Sequence, residues 1–211
     1  TELKSLPNVR LMSRTTIYGV FDHGILGALE RKADHVAPNE SKPRQILWKL
    51  YTKKIILCSG SSERSIAFPN NDRPGIMLAN ATRAYVNRWG INPGKKITVY
   101  TNNSDGWETA RQLKQAGCNL VAVINPSKEL SQSIEGVECF NGNQIINTKG
   151  HNRISSIQLD NGTTIKTDFL AVSGGQNPNL QLTCHHRGKP VWNSKFLCFN
   201  PNNCPPNMHV V

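Results

Sequence analysis

Small hydroxyl residues and glycines follow two apolar runs of the sequence, at residues 54–58 and 168–172. In open α/β sheets, ligands bind outside the carboxyl ends of the strands, where glycine lets the backbone approach a dinucleotide closely. An arginine near the first run is suited to face a phosphate group. The pattern therefore predicts cofactor-binding residues at Ser59, Gly60, Ser61, Arg64, Ser173, Gly174 and Gly175.

The loop at residues 100–107 lies where a dinucleotide-binding fingerprint belongs. A Gly-x-Gly-x-x-Gly loop turns tightly and brings backbone N–H groups onto a pyrophosphate. We expect Asn102 and Ser104 to replace the first two glycines here. Asp105 adds a negative charge at the helix N-terminus, which disfavours an incoming phosphate. The sequence therefore predicts that this loop keeps the fold without binding a dinucleotide.

Other chemistry is not indicated by residue spacing. The sequence shows no Ser-His-Asp, metal-hydrolase or paired-carboxylate pattern, so we predict no catalytic group in the chain. The charged residues near the first run have structural roles as an alternative to ligand binding. Glu63 and Arg64 can pair with each other, and Arg73 can anchor a hinge between domains.

The cysteines and histidines give no regular metal-binding or redox pattern. None of the six cysteines forms a CxxC pair, which argues against a zinc ribbon or a thioredoxin-type centre. We predict no metal site, although a cluster near the end of the chain leaves zinc as an alternative. Its members are Cys184, His185, His186, Cys198, Cys204 and His209.

The charge of the chain is strongly basic but dispersed. A formal net charge of +11 over 211 residues lies on many separate elements and is not interleaved with aromatics, so we expect no nucleic-acid partner. No apolar run approaches the ~20 residues that span a bilayer, so we expect no membrane partner. The start of the chain lacks an initiator Met and a signal-peptide pattern. We expect a cytoplasmic protein, with this chain as an internal piece of it.

Antiparallel patterns near the start give way to alternating strands and helices. The first three strands predict a meander, and the later elements predict a βαβ unit with a right-handed crossover. The predicted strands are at residues 15–21, 25–31, 45–50, 54–58, 96–100, 119–124 and 168–172, and the predicted helices are at residues 76–89 and 107–116.

These elements predict an α/β protein with two nucleotide-type domains. We expect a partial FAD/NAD(P)-binding Rossmann-like domain that includes the three-stranded meander, at residues 1–75. A second, inserted βαβ domain of Rossmann-like type is expected at residues 76–180. Residues 181–211 are expected to form an irregular segment that returns to the first domain.

Six motifs follow one another along nearly the whole chain. They are YGVFDHG (18–24), LCSGSSER (57–64), NNDRPGIM (70–77), YTNNSD (100–105), VSGGQNP (172–178) and GKPVW (188–192). Each motif is weak alone, but together and in this order they resemble the alpha-subunit family of heterotetrameric sarcosine oxidases. Related amine and opine dehydrogenase subunits share several of the motifs.

The resemblance implies an enzyme complex that oxidatively demethylates sarcosine to glycine, uses oxygen and releases hydrogen peroxide. The one-carbon unit passes to tetrahydrofolate. An alpha subunit of this family carries a bound NAD and is built like the two-domain disulfide reductases. The complex also contains FAD in the beta subunit and FMN near the alpha–beta contact. Beta, gamma and delta type subunits are the implied partners.

Relative to this family, we expect the chain to be an internal piece of a longer protein. The glycine-rich fingerprint that cradles the NAD pyrophosphate, its acidic ribose partner and the folate-handling domain are absent from the sequence. We therefore expect the isolated chain to be catalytically inactive. One alternative is a non-catalytic assembly or scaffold domain of a related opine or secondary-amine dehydrogenase. The other is a general pyridine-nucleotide-disulfide-type oxidoreductase, which the lack of CxxC disfavours.

Overall fold

The computed structural model describes residues 2–38, 41, 43–129, 131–205 and 207–211, without the side chain of His186. The chain divides into two units. The first, called the meander unit, contains Thr1–Ser61 and Pro178–Val211, and the second, called the sheet unit, contains Ser62–Asn177. The assignment of residues 1–75, 76–180 and 181–211 to functional domains stays a prediction.

The secondary structure follows the expected change from a meander to alternating elements. The strands are β1 (Thr15–Phe21), β2 (Ile25–Arg31), β3 (Gln45–Tyr51), β4 (Ile55–Leu57), β5 (Ser61–Glu63), β6 (Ile76–Leu78), β7 (Ile97–Thr101), β8 (Leu120–Asn125), β9 (Glu138–Asn141), β10 (Ile145–Lys149), β11 (Ser156–Leu159), β12 (Thr164–Lys166), β13 (Phe169–Ser173), β14 (Gln176–Pro178), β15 (Val191–Asn193), β16 (Cys198–Asn200) and β17 (Met208–Val210). The α-helices are α1 (Ala79–Trp89) and α2 (Ser104–Gln115), and short 3-10 helices cover Glu2–Ser5, Asp22–Gly24 and Gln181–His186.

The meander unit contains the predicted three-stranded antiparallel sheet, in the order β1-β2-β3. The turn between β1 and β2 uses two left-handed residues, His23 at φ 61° and Gly24 at φ 71°. A Cβ on Gly24 would lie only 2.5 Å from the Thr52 carbonyl oxygen. Glycine is therefore required at this turn, because both its backbone angle and the space around it exclude a side chain.

A second part of the meander unit is the parallel pair formed by β4 and β17. Ile55, Leu57 and Met208 of this pair form a small buried cluster with Val20 of β1. Because β4 is held by a strand near the end of the chain, the turn that follows β4 starts from a fixed position. This pairing joins residues that are far apart in sequence.

The sheet unit is built on a five-stranded parallel sheet in the order β6-β13-β7-β8-β9. The order is typical of a nucleotide-type domain, in which the chain crosses over through helices before it pairs in parallel. The α/β class predicted from the sequence is confirmed. Asp168 fixes the start of β13 beside β7, since its carboxylate accepts the N–H groups of Lys95 and Lys96 at 3.1 and 2.8 Å.

Both faces of the parallel sheet are covered. One face packs against the helices, where Trp107, Ala110 and Leu113 of α2 join a buried cluster with strand residues such as Val99. The other face packs against the three-stranded sheet β10-β11-β12, through a separate cluster that includes Ile157. A parallel sheet is stable only when both faces are buried, and this arrangement meets that requirement.

Two helix starts differ from the expected positions. Residues 76–78 form β6, paired in parallel with β13, so the first helix begins at Ala79 instead of at residue 76. The second helix begins at Ser104 instead of residue 107, because the Asn103 side chain caps it by accepting the Gly106 N–H at 3.1 Å. The apolar pattern starts only at Trp107, so hydrophobic spacing could not detect this polar first turn.

No helix among the described residues is long and apolar enough to cross a membrane. Within the same residues, no group of three or more His, Cys, Asp or Glu side chains lies close enough together to hold a metal ion. The six cysteines are free thiols.

Candidate cofactor-binding site

The Ser59–Gly60 turn follows β4 directly and lies on the surface of the meander unit. Asn179 holds this turn from the segment after β14. The Ser59 hydroxyl donates to the Asn179 carbonyl at 2.7 Å, and the Asn179 side-chain amide donates back to the Ser59 carbonyl at 3.0 Å. The Asn179 N–H also donates to the Gly60 carbonyl at 2.9 Å. The turn is therefore positioned by paired hydrogen bonds before any ligand binds.

Gly60 is required at this turn by its backbone angle and not by crowding. Its φ is +66°, in the left-handed region that favours glycine. A Cβ placed on Gly60 would meet no heavy atom within 4 Å. The space beside the Gly60 Cα is therefore open. Such space is expected where the backbone borders a cofactor-binding site. Ser61 is the first residue of β5.

The second glycine pair, Gly174–Gly175, lies in the sheet unit and packs against the chain segment around Arg64. The Arg64 N–H donates to the Gly175 carbonyl at 2.8 Å, and the Gly174 N–H donates to the Arg64 carbonyl at 2.7 Å. A Cβ on Gly174 would lie 2.6 Å from the Ser65 carbonyl oxygen, and one on Gly175 would lie 2.8 Å from Arg64 Nη2. These contacts give the two glycines a packing role.

Ser173 is fully buried and belongs to the same sheet edge. Its carbonyl accepts the side-chain amide of Asn103 at 3.0 Å, and its hydroxyl oxygen lies 3.1 Å from the same amide nitrogen. Asn103 in turn caps α2. The carboxyl ends of β13 and β7 are therefore joined by side-chain hydrogen bonds, in the place where a nucleotide would lie in a dinucleotide-binding domain.

The register of the degenerate fingerprint differs by one residue from the sequence expectation. A Cβ on Gly106 would clash with Thr101 Oγ1, so Gly106 allows the close contact between helix and strand that the third fingerprint glycine provides. The first two fingerprint positions are then Thr101 and Asn103, and not Asn102 and Ser104. The Thr101 hydroxyl accepts the Asn103 N–H at 3.2 Å and replaces part of the tight glycine turn.

Asp105 lies in the first turn of α2 and is bound by a cation of the same unit. Arg83 contacts it with both terminal nitrogens, at 3.0 Å from Nη1 to Oδ1 and 3.1 Å from Nη2 to Oδ2. The Gln176 side-chain amide donates to Oδ2 at 3.3 Å. A carboxylate therefore already satisfies the positive end of the helix dipole, which is the property that attracts a phosphate.

Glu63 adds a second carboxyl group to this sheet edge. Its Oε2 accepts the N–H of Asn80 at 2.7 Å, in the first turn of α1. Its Oε1 is buried and has no hydrogen-bond partner among the described residues. Burial raises the pKa of Glu63 above its usual value, and the negative charge of Asp105 adds to the rise, while the bond from Asn80 opposes it.

Acidic side chains lie at the edge of the sheet unit, where a dinucleotide-binding domain holds phosphates. Two carboxyl groups occupy the helix N-termini where the phosphates would bind, and Asn103 replaces the glycine over which the backbone would approach them. The site contains no nucleophile paired with a base within the described residues. The chain's own acidic side chains thus lie at the N-termini of α1 and α2.

Comparison with known proteins places this chain by sequence. It is 38% identical over 203 residues to the sarcosine oxidase subunit alpha of Rhizobium meliloti, with 94% of this chain covered. It is 31% identical over 227 aligned residues to the sarcosine oxidase subunit alpha of a Corynebacterium species, with 99% covered. Over this span the chain belongs to the sarcosine oxidase alpha-subunit family. It spans about a fifth of these relatives, 21% and 23% of their lengths.

Solved structures support the fold of this family member. The L-proline dehydrogenase from P. horikoshii superposes with a TM-score of 0.66 at 19% identity, over 93% of this chain and 35% of that one. The NAD-dependent persulfide reductase from A. fulgidus gives a TM-score of 0.66 at 13% identity, over 99% and 40%. The expected Rossmann-like class is therefore confirmed. No protein-family profile matches the sequence.

The residues expected to bind a cofactor in this family member belong to both units. Ser59 and Gly60 belong to the meander unit, whereas Arg64, Ser173, Gly174 and Gly175 lie together in the sheet unit, and their cofactor contacts stay predictions. Sequence reasoning missed Glu63 and Arg83 as parts of the site. Asp105 carried a readable signal, an acidic residue in a helix's first turn, but nothing in the sequence pairs it with Arg83.

Proposed function

We propose that this chain is part of the NAD-binding alpha subunit of an oxidoreductase complex of the sarcosine oxidase type. The complex oxidatively demethylates sarcosine to glycine, reduces oxygen to hydrogen peroxide and passes the one-carbon unit to tetrahydrofolate. NAD belongs to this subunit, whereas FAD and FMN belong to the complex. Its partners are beta, gamma and delta type subunits. The chain itself supplies no catalytic residue.

The observation that carries this proposal is the sequence match to sarcosine oxidase subunit alpha, at 38% identity across 94% of the chain. The six motifs all fall within the chain, in one order. The fold agrees with that of dehydrogenases and NAD-dependent reductases. These findings support an oxidoreductase of the flavin and nicotinamide class, and the demethylation of sarcosine is the finer part of the proposal.

Within this proposal, the Ser59–Gly60 turn forms part of the NAD site in the meander unit. A bound NAD supplies a nicotinamide group that accepts hydride. The chain's own residues bind and orient: Gly60 leaves the backbone open, and the Ser59 oxygen, whose hydrogen already bonds Asn179, accepts a further hydrogen bond. Ser61 extends the same wall. Arg64 and Ser173–Gly175 shape the sheet unit instead.

The proposal is tested with the complete complex and sarcosine. We expect hydrogen peroxide and glycine to form in equal amounts when sarcosine is added, and no peroxide when glycine replaces it. Peroxide formation from an opine or another secondary amine, with none from sarcosine, would contradict the substrate and favour a related amine dehydrogenase. No peroxide from any secondary amine would contradict the oxidase class itself.

A second function is favoured for the sheet unit by the Arg83–Asp105 ion pair, which fills the N-terminus of α2. We propose that this unit is an assembly module that keeps the Rossmann-like fold without a nucleotide. Its two carboxyl groups repel phosphate at close range, since their charges lie where the phosphate oxygens would bind. The unit then serves to hold neighbouring parts of the complex.

The stoichiometry of NAD tests this second function. Calorimetric titration of the complete protein, stripped of nucleotide, is expected to reach saturation at one NAD per alpha subunit. Two equivalents per alpha subunit would contradict an assembly role, because the sheet unit would then bind NAD despite its two carboxyl groups.

A further inference from the structure

An open cavity of about 380 Å³ lies where β1 begins and β2 ends, at the open end of this hairpin. Its lining residues are distant in sequence from the Ser59–Gly60 turn. Its volume lies within the usual range for small-molecule pockets. Among the described residues, its lining consists of Arg14, Thr15, Thr16, Arg31, Asp34 and His35. Most of these side chains are positive or carry donor groups.

The backbone brings the two arginines of this cavity side by side. The Arg31 N–H donates to the Arg14 carbonyl at 3.0 Å, at the pair just beyond Thr15 and Glu30 in the β1–β2 register. Arg14 also adopts a left-handed backbone with φ 54°, a conformation that is unfavourable for a non-glycine residue. Like charges on directly opposed strand positions destabilise a sheet. The stability of the sheet therefore does not explain why the two arginines lie together.

The acids nearest to this cavity are already engaged. Asp34 accepts the Gln45 amide at 2.7 Å and lies 3.7 Å from Arg44 Nε. Glu30 accepts the Trp48 ring N–H at 2.9 Å and pairs with Lys32 at 3.4 Å. The hydrogen bond from Trp48 lowers the pKa of Glu30. Both carboxylates thus have partners other than the two cavity arginines.

Neither cavity arginine forms an ion pair with an acidic side chain in the part of the chain that the structure describes. Arg14 Nη1 lies 3.0 and 2.9 Å from the two ring nitrogens of His35, which carry no negative charge. The Arg31 guanidinium makes no hydrogen bond or ion pair to another described residue. Arg14, Arg31 and Thr16 therefore line a cavity whose acidic residue, Asp34, is already held by Gln45 and Arg44.

We propose that this cavity binds the phosphoryl group of a small phosphorylated molecule, at a site separate from the NAD site. Guanidinium groups offer paired N–H donors that match phosphate oxygens, and two of them on adjacent strand positions can share one phosphate. The Thr16 hydroxyl supplies a further donor. The cavity is larger than a phosphate ion, which leaves room for the organic part of the ligand.

Calorimetric titration of the complete protein with glycerol 3-phosphate and with inorganic phosphate tests this proposal. Saturating NAD is present, so that a nucleotide site does not contribute heat. We expect both compounds to bind, and glycerol 3-phosphate to bind more tightly than inorganic phosphate. Arg31→Gln and Arg14→Gln are each expected to weaken binding about fivefold, because an exposed charge pair contributes little binding free energy. The double variant is expected to bind at least about twenty-five times more weakly.

Lys53→Gln is the matched control, because it removes the same charge from an exposed position of the same unit. Its phosphate affinity is expected to equal that of the unchanged protein. If Arg14→Gln does not fold, as its unfolding temperature would reveal, Arg31→Gln alone decides the result. The proposal is overturned if neither phosphate binds, if Arg31→Gln binds as tightly as the unchanged protein, or if Lys53→Gln loses as much affinity.

Discussion

Gly60 in the meander unit and Gly174 in the sheet unit both follow a short apolar strand and a serine, yet their surroundings differ. A Cβ on Gly60 would meet no atom within 4 Å, whereas a Cβ on Gly174 would lie 2.6 Å from the Ser65 carbonyl oxygen. The first glycine is needed for a left-handed turn and the second for close packing of two backbones. A strand followed by Ser-Gly therefore indicates a ligand site only where the space beside the glycine is open.

The same two regions differ in charge. The Ser59–Gly60 turn is held by neutral hydrogen bonds to Asn179. The edge of the sheet unit contains the Arg83–Asp105 pair and the half-buried Glu63. Only the first region leaves the approach of a phosphate unopposed, which is why we assign cofactor binding to the meander unit. Each of the following substitutions changes one side of this contrast.

The largest effect is expected from Gly174→Ala. The added methyl group overlaps the Ser65 backbone, which cannot rotate away as a side chain can. We expect a loss of about 2–3 kcal/mol in the free energy of unfolding, measured by denaturant unfolding of the complete protein. A loss below about 0.5 kcal/mol would mean that the segment moves aside and that the packing role assigned to Gly174 is wrong.

A smaller effect is expected from Arg83→Gln, which leaves Asp105 near Glu63 without its cation. The pair is partly exposed, so we expect a loss of about 1–2 kcal/mol in unfolding free energy rather than the larger cost of a fully buried charge. The double variant Arg83→Gln with Asp105→Asn should recover part of that loss. If the two single losses simply add in the double variant, the pair does not stabilise this edge.

Gly60→Ala is expected to cost about 1 kcal/mol of unfolding free energy, because alanine at φ +66° is strained but meets no neighbour. Gly60→Asn is the matched comparison, since asparagine tolerates the left-handed region, and it should cost less than alanine. Equal losses for both variants, or a loss as large as that of Gly174→Ala, would remove the distinction between the two glycines.

The smallest effect concerns pH. Because the folded pKa of Glu63 is raised above its unfolded value, the folded unit favours the protonated form, and stability falls as pH rises from the unfolded to the folded pKa. Glu63→Gln removes this cost. The variant should unfold at a higher temperature than the unchanged protein under alkaline conditions, with the difference shrinking in acid. Glu138→Gln, at an exposed position, should show no such trend.

The sequence was most informative where a local pattern decides the structure. The meander followed from alternating apolar residues around the His23–Gly24 turn, and β7 and β13 followed from apolar runs that are buried on both faces. The start of α2 was missed, because Asn103 acts through a hydrogen bond and not through hydrophobic spacing. Helix boundaries therefore depend on capping hydrogen bonds, which the hydrophobic periodicity of a sequence does not reveal.

The candidate sites depend on contacts between distant residues, which one sequence does not specify. Ser59 bonds Asn179 across 120 positions, and Arg83 bonds Asp105 across 22 positions. The Ser-Gly-Gly motif after β13 predicted a ligand contact, but the close approach of Ser65 explains Gly174 without one. Residue types could indicate where a cofactor binds, whereas only the packing distinguishes an open turn from a filled one.

The account's central claim is that the Ser59–Gly60 turn borders the NAD site and that the edge of the sheet unit does not. Calorimetric titration of NAD into the complete protein tests it with two variants. Gly60→Asp adds a carboxylate at an open position, and aspartate tolerates the left-handed backbone there. Asp105→Asn removes a carboxylate from the sheet unit. We predict NAD binding about tenfold weaker for Gly60→Asp and unchanged for Asp105→Asn. Unchanged affinity in Gly60→Asp, or NAD binding weakened as much in Asp105→Asn as in Gly60→Asp, would contradict the claim.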